Sequence, residues 1–157
     1  MVTAVGEVSK RRGKPLQLPV PGVFFTSFTL NVDERCICGP HVDGSNLASG
    51  MCLVSPIGNF DPQKGGHLIL HNLKLIFEVA PGSICLIPSA IITHSNIGIG
   101  PGETRRAITA YTPASYFQYY EEGFKGVLER LHKEAKALGR RRWADGKARL
   151  PHYDQIW

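Results

Sequence analysis

The feature that most limits the fold of this chain is a regular alternation of short apolar stretches and turn-forming residues. Stretches rich in β-branched and aromatic residues are separated by turn formers such as Gly39-Pro40 and Pro81-Gly82. Such stretches predict strands, and the short connections leave no room for the crossover helices of a parallel sheet. We predict eight strands, at residues 23–30, 36–38, 51–55, 67–70, 73–79, 84–87, 91–94 and 105–111.

Eight strands within about 90 residues favour an antiparallel sandwich or barrel. After the last strand, residues 115 to about 138 place apolar side chains at steps of three and four. This spacing predicts one amphipathic helix whose apolar face covers a sheet, with Gly139 as its C-cap.

Size and composition indicate one soluble domain. The chain has 157 residues, of which 43% are hydrophobic and 20% charged, values typical of globular proteins. It contains no run of about 18 apolar residues, so we expect neither a membrane-spanning segment nor a membrane partner. Four cysteines without a secretory leader predict free thiols in an intracellular protein.

Charge is concentrated at the two ends of the chain, whose net charge is +5. A basic cluster occupies residues 10–14, and residues 125–149 contain nine lysines and arginines against three acidic residues. We therefore divide the chain into a basic N-terminal arm (1–22), a folded domain (23–139) and a basic C-terminal tail (140–157). Basic ends favour a polyanionic partner such as DNA, but a solvated surface without a partner explains the charge equally well.

The sequence His41-Val42-Asp43, followed 53 residues later by His94, forms a candidate metal site. Residues two apart on an extended segment point to the same side, so the His41 and Asp43 side chains can reach one ion. Two histidines and one carboxylate form the facial set that binds Fe(II) and leaves other coordination positions open. His-x-Asp alone is weak evidence, and a single histidine is more often a core or surface residue.

The order of the motifs strengthens this candidate, because Arg105 opens the last predicted strand 11 residues after His94. An arginine that faces the metal cavity can hold a dicarboxylic co-substrate through two parallel charge-assisted hydrogen bonds. His67 and His71 are alternative ligands, which we interpret as lining or surface residues. The four cysteines could bind zinc, but their positions within strands favour small buried side chains.

Four stretches of the chain carry a family resemblance: HVDGSN, GNFDPQKGGHLIL, PGSICLIPSAIITHSN and GETRRAITAYTPASYFQYYEEGF. With His41, Asp43, His94 and Arg105, they resemble the Fe(II)/2-oxoglutarate-dependent dioxygenases, in particular the fungal, transposon-associated members of the Tet/JBP branch. The resemblance covers residues 31–124. It implies a mainly β protein with a double-stranded β-helix, of the jelly-roll or cupin-like kind, and a C-terminal α-helix packed on the larger sheet.

The resemblance also implies roles for individual residues. His41, Asp43 and His94 would bind Fe(II), and Arg105 would hold the distal carboxylate of 2-oxoglutarate. Arg106 is the competing anchor, since neighbouring residues of a strand face opposite sides. The family pattern is usually Arg-x-Ser, whereas Arg105 is followed here by Arg106 and Ala107.

The activity implied is oxidation of a methyl C–H bond with O2 and 2-oxoglutarate as co-substrates. The substrate expected is 5-methylcytosine in DNA, and the location expected is intracellular, with the nucleus as one candidate compartment. Asn31 is expected at the co-substrate, and Asn46 and Asn96 at the substrate, with turn capping as the alternative for Asn31 and Asn46. Two other functions stay open: a cupin-type metal-binding protein, which does not need Arg105, and a non-catalytic nucleic-acid-binding module.

Overall fold

A computed structural model of the chain describes residues 25–121, 123 and 132–149, together with residues 7 and 10. The prediction of a mainly β protein is confirmed, because seven antiparallel strands form two sheets. Two helices follow the last strand. The strands are β1 (Ser27–Asn31), β2 (Cys52–Asn59), β3 (Leu68–Leu70), β4 (Leu75–Phe77), β5 (Cys85–Ile87), β6 (His94–Asn96) and β7 (Thr104–Tyr111), and the helices are α1 (Ala114–Glu121) and α2 (His132–Ala148).

One sheet has four strands in the order β1-β7-β2-β5, and the other has three in the order β4-β3-β6. The two longest strands, β2 and β7, lie side by side at the centre of the larger sheet and pair from Leu53–Ala110 to Asn59–Thr104. Alternate side chains of each strand face the smaller sheet. The apolar core combines Cys52 and Ile87 of the larger sheet with Leu68 and Leu70 of the smaller sheet and with Val79.

The strand at residues 36–38 was predicted wrongly. The Cys36 N–H donates to the Arg105 carbonyl oxygen at 3.0 Å, but the Cys38 N–H donates to the Asn96 side-chain oxygen at 2.9 Å. Because a side chain supplies the second acceptor, the segment does not continue as a ladder, and Gly39-Pro40 ends its extended course.

Two other strands are displaced or shortened relative to the prediction. β6 begins at His94, because residues 91 and 92 belong to a turn in which both N–H groups donate to the Pro88 carbonyl oxygen. β4 covers only Leu75–Phe77, because residues 71–73 form a 3-10 turn and Lys74 adopts a left-handed conformation. β1 begins at Ser27, and residues 23 and 24 of its predicted start lie outside the described residues.

The prediction of one helix over residues 115–138 is also wrong. α1 ends at Glu121, and Gly123 has a φ of +65°, a conformation that favours glycine and stops a helix. α2 continues through Gly139 to Ala148, so Gly139 is not a C-cap, and the predicted start of the tail at residue 140 falls within this helix.

The helices contact each other and a loop that follows the His-x-Asp motif. Arg142 of α2 pairs with Glu121 of α1 at 2.8 Å. Gly146 lies so close to Ala48 that an added Cβ would be 2.7 Å from the Ala48 Cβ. Residues 122 and 124–131, which carry much of the predicted sheet-covering face, lie outside the described residues, as does most of the predicted N-terminal arm. Neither α1 nor α2 is long and apolar enough to cross a membrane.

Candidate metal centre

Main-chain hydrogen bonds place the three predicted ligands next to one another. The His41 N–H donates to the His94 carbonyl oxygen at 3.0 Å, and the His94 N–H donates to that of His41 at 2.9 Å. The Asp43 N–H donates to the Ser89 carbonyl oxygen at 2.9 Å. The two histidines, 53 residues apart in sequence, are thus direct partners in an isolated antiparallel bridge.

The other nitrogen of each ring fixes its orientation. Nδ1 of His41 lies 2.8 Å from the Gly39 carbonyl oxygen, and Nδ1 of His94 lies 2.9 Å from that of Ile92. Because a carbonyl oxygen only accepts, each Nδ1 carries a proton, and in the neutral ring the lone pair is therefore on Nε2. This is the usual arrangement of histidines that bind a metal through Nε2.

Both Nε2 atoms are directed towards the Asp43 carboxylate. Nε2 of His41 lies 3.6 Å from Asp43 Oδ1, and Nε2 of His94 lies 4.0 Å from Oδ2. One ligand atom from each residue can be chosen so that all three lie within 4.8 Å of one another. The side chains of His41, Asp43 and His94 are 43%, 32% and 9% exposed, so one side of the group is open. These donors fit one divalent cation such as Fe(II).

Asn46 supports the carboxylate from the protein side. Its side-chain N–H groups lie 3.5 Å from Asp43 Oδ2 and 3.2 Å from Ser89 Oγ, and its main-chain N–H donates to the Asp43 carbonyl oxygen. Asn46 is buried at the cavity wall. The contacts seen for this predicted substrate residue therefore orient Asp43.

Arg105 lies in the same cavity and is only 4% exposed. Its Nη1 donates to the Cys36 carbonyl oxygen at 3.3 Å, while its buried Nε has no hydrogen-bond partner among the described residues. Burial lowers the pKa of the Arg105 guanidinium below its ordinary value. No acidic side chain of the part of the chain that is described forms an ion pair with it. A buried cation of this kind is suited to an anionic ligand.

Alternation along β7 separates Arg105 from its competitor. Arg106 projects to the other side of the sheet, where its Nη2 pairs with Glu34 at 2.9 Å and its Nε donates to the Val32 carbonyl oxygen. The Arg106 guanidinium therefore has its own partners outside the cavity.

The Gly65-Gly66 pair allows the Arg105 side chain to pack closely. Gly66 has a φ of +73°, and an added Cβ would lie 2.7 Å from the Phe60 ring and 3.3 Å from Arg105 Cδ. Only glycine combines this conformation with so close an approach. Gly66 thus has its structural reason at the arginine, whereas Gly65 has its reason at the main chain, because its added Cβ would lie 2.6 Å from the Gly98 carbonyl oxygen.

The two other predicted asparagines differ in what they contact. Asn31, at the end of β1, lines the cavity and is half-buried. Asn96 is buried, accepts a hydrogen bond from the Cys38 N–H, and donates to the Cys36 and Ile97 carbonyl oxygens. The Asn96 amide therefore holds residues 36–38 beside the cavity rather than pointing free groups at a substrate.

Three cysteines line the cavity, whereas the sequence predicted only small buried side chains at these positions. Cys36, Cys38 and Cys52 face it, and all four cysteines of the chain are free thiols. Burial raises the pKa of Cys52 to about 11, and the Asp43 carboxylate adds to the rise. Burial and then contact with Cys38 raise the pKa of Cys36. Thiols with such raised pKa values are protonated near neutral pH and are weak ligands.

The alternative ligands lie apart from the triad. His71 Nε2 is 2.9 Å from Ser95 Oγ, and the Nδ1 of His67 is buried with no partner among the described residues. His41, Asp43 and His94 are the group that the described part of the chain brings together as metal donors.

The triad and Arg105 share one cavity of about 300 Å³ that lies between the two sheets. Alternate residues of β7, from Arg105 to Tyr111, line one wall, and Thr29 of β1 and Val54 of β2 also face it. The cavity therefore presents metal donors and a buried guanidinium to the same bound molecule. The sequence matches none of the protein-family models and none of the curated proteins with which it was compared.

Proposed function

We propose that this protein is an Fe(II)- and 2-oxoglutarate-dependent dioxygenase with a double-stranded β-helix, which oxidises the methyl group of 5-methylcytosine in DNA. The observation that carries the proposal is the shared cavity, which combines a 2-His-1-carboxylate donor set with a buried arginine that has no acidic partner among the described residues. Neither feature alone distinguishes an oxygenase from a cupin-type metal protein.

The residues fit the two groups that the proposal requires. His41, Asp43 and His94 would hold the iron through Nε2, a carboxylate oxygen and Nε2. Arg105 would bind the distal carboxylate of 2-oxoglutarate, which would also give an acceptor to its Nε, an atom with no hydrogen-bond partner among the described residues. When bound, iron with 2-oxoglutarate and O2 supplies the oxidation of an unactivated C–H bond, with succinate and carbon dioxide as products.

The protein itself positions the ligand side chains and excludes water from the cavity. The Nδ1 hydrogen bonds hold both imidazole rings, Asn46 holds the carboxylate, and Phe60 packs beside Gly66 near the arginine. The burial of Arg105 strengthens its attraction for a carboxylate, because the local dielectric constant is low.

The charge of α2 supports a DNA substrate. Residues 132–149 include seven lysines and arginines against two acidic residues. Lys136, Arg140 and Lys147 share one exposed face of the helix. A different side of α2 contacts the loop of residues 44–49, which follows Asp43. Phosphate contacts from this helix would hold a strand while the target base leaves the stack to reach the iron.

The test is incubation of the protein with Fe(II), 2-oxoglutarate and DNA that contains 5-methylcytosine, at low salt, followed by mass analysis of nucleosides and of succinate. We expect oxidised methylcytosine and one succinate for each oxidation step, and neither product with Asp43→Ala. Unmethylated DNA is the substrate control. Succinate without base oxidation would retain the oxygenase and reject DNA, and the absence of both would reject the oxygenase.

A further inference from the structure

A second cavity lies behind the metal centre and has no role in the proposed function. It encloses about 260 Å³ between α1, α2 and the loop of residues 44–49. This loop separates the two cavities, because Ser45 and Asn46 line the first and Leu47 and Ala48 line the second.

Two glycines of α2 border the second cavity for different reasons. Gly146 is required by packing, since its Cβ would lie 2.7 Å from that of Ala48. Gly139 lies seven residues, or about two turns, earlier on the same face. Its φ is not positive, and an added Cβ would meet no heavy atom of the described residues within 4 Å. Glycine is unfavourable inside a helix, so neither conformation nor contact with the described residues explains Gly139.

Gly139 instead leaves space in the cavity, and the other walls show what chemistry fits that space. Phe117 and Trp143 are half-buried aromatic walls. Gln118 and the Arg142–Glu121 ion pair line the same cavity and contain both donors and acceptors. A nucleobase needs this combination: flat apolar faces for stacking and a polar edge with donors and acceptors.

The size and surrounding charge favour the same ligand. A volume of about 260 Å³ is small for a drug-sized molecule but sufficient for one base. Exposed Arg149 is part of the rim, and it can meet the phosphate that accompanies a base in a nucleotide.

We propose that the second cavity binds the base of a nucleotide, either as a free nucleoside monophosphate or as one unit of a single strand. This site is separate from the metal centre and does not depend on the proposed reaction. The base stacks against Trp143 in the space beside Gly139, and its phosphate lies at Arg149.

The chain allows a direct optical test, because Trp143 and Trp157 are its only tryptophans. In a Trp157→Phe background, Trp143 emission reports on the cavity. The probes are adenosine monophosphate, cytidine monophosphate and a short single-stranded oligonucleotide. We expect saturable quenching by the monophosphates, or by the oligonucleotide alone if the base must come from a strand.

Gly139→Leu and Gly139→Ala form a matched pair in the same background. Leucine fills the space beside Trp143, so we expect affinity to fall about tenfold or more, as for loss of a base-stacking contact. Alanine adds one methyl group and should keep the affinity and raise the thermal midpoint. Mn(II) binding to each variant checks that the metal centre is intact.

No saturable quenching with any probe, or equal affinity of the Gly139→Leu and Gly139→Ala proteins, would overturn the proposal. The second-cavity result is independent of the dioxygenase assay. A protein that binds nucleotides but forms no succinate would reject only the proposed function, and a protein that turns over without quenching would reject only this site.

Discussion

The two ends of the main cavity are built in different ways. At the metal end, main-chain hydrogen bonds place His41 and His94 side by side, and the His41 and Asp43 side chains are 43% and 32% exposed. At the arginine end, Arg105 is 4% exposed and its side chain lies close to Gly66, which also lies close to the Phe60 ring. One end is open to exchange, whereas the other is closed and carries a guanidinium with no acidic partner among the described residues.

This difference determines which ligands each end of the cavity can bind. Open donors around a cation leave room for ligands that enter and leave. A buried guanidinium accepts only a ligand that brings a compensating negative charge. Mutations at the metal end should therefore weaken binding because a coordinating atom is lost. Mutations at the arginine end should weaken binding because a charge pair is lost.

The largest effect should follow removal of a metal ligand. His41→Ala, Asp43→Ala and His94→Ala should each abolish Fe(II) binding, a greater loss than the about 10–100-fold caused by removing a hydrogen-bond partner of a ligand. Calorimetric titration under anaerobic conditions measures this, with circular dichroism as the folding check. His71→Ala is the matched control, and full iron affinity in any triad variant would remove that residue from the site.

The next effect concerns the closed end. Arg105→Gln should weaken 2-oxoglutarate binding by about 2–5 kcal/mol, because it removes a buried charge-assisted pair. Arg106→Gln should leave binding unchanged, since Arg106 pairs with Glu34 outside the cavity. Binding is measured by calorimetry with Mn(II) in place of iron. The opposite order of the two variants would reverse the assignment.

A smaller loss of metal affinity is expected when a mutation disturbs only the orientation of a metal ligand and leaves the coordinating atoms in place. Asn46→Ala should lower metal affinity about tenfold, because Asp43 loses a partner that orients it. Asn31→Ala is the control, because Asn31 lines the same cavity but forms no hydrogen bond with a ligand residue in the part of the chain that the structure describes. If both variants bind the metal as the wild type does, Asn46 does not orient the carboxylate.

The smallest effect compares two glycines with the same backbone conformation. Gly66→Ala should cost about 1–3 kcal/mol of stability, from strain at positive φ and from contact with Phe60. Gly82→Ala, with a φ of +79° and no atom of the described residues within 4 Å of its Cβ, should cost about 1 kcal/mol. Urea unfolding of both variants measures the difference, and equal costs would show that packing beside Arg105 is loose.

Local sequence patterns predicted the relative placement of side chains that are close together in the sequence. The His-x-Asp spacing and the alternation along β7 were sufficient to bring Asp43 beside His41 and to separate Arg105 from Arg106. Most predicted strands also occur, because β-branched runs between turn formers leave few alternatives.

Features that depend on distant partners could not be predicted in this way. His41 forms a bridge with His94, and the Asn96 amide forms hydrogen bonds with residues 36–38 where a strand was predicted. Both contacts join segments that are about 50–60 residues apart in the sequence. Gly139 resembled a helix end in sequence, yet α2 continues through it beside a cavity. The break at Gly123 did have a local cause, its left-handed conformation, which the apolar periodicity concealed.

The most direct test of the account is whether the two ends of the cavity bind one molecule. Calorimetry should compare 2-oxoglutarate binding to metal-free and Mn(II)-loaded protein, each with and without Arg105→Gln. We predict that Mn(II) raises the affinity about tenfold or more, and that Arg105→Gln weakens binding in the loaded protein. Equal affinity with and without the metal would contradict a site in which His41, Asp43, His94 and Arg105 act on the same ligand.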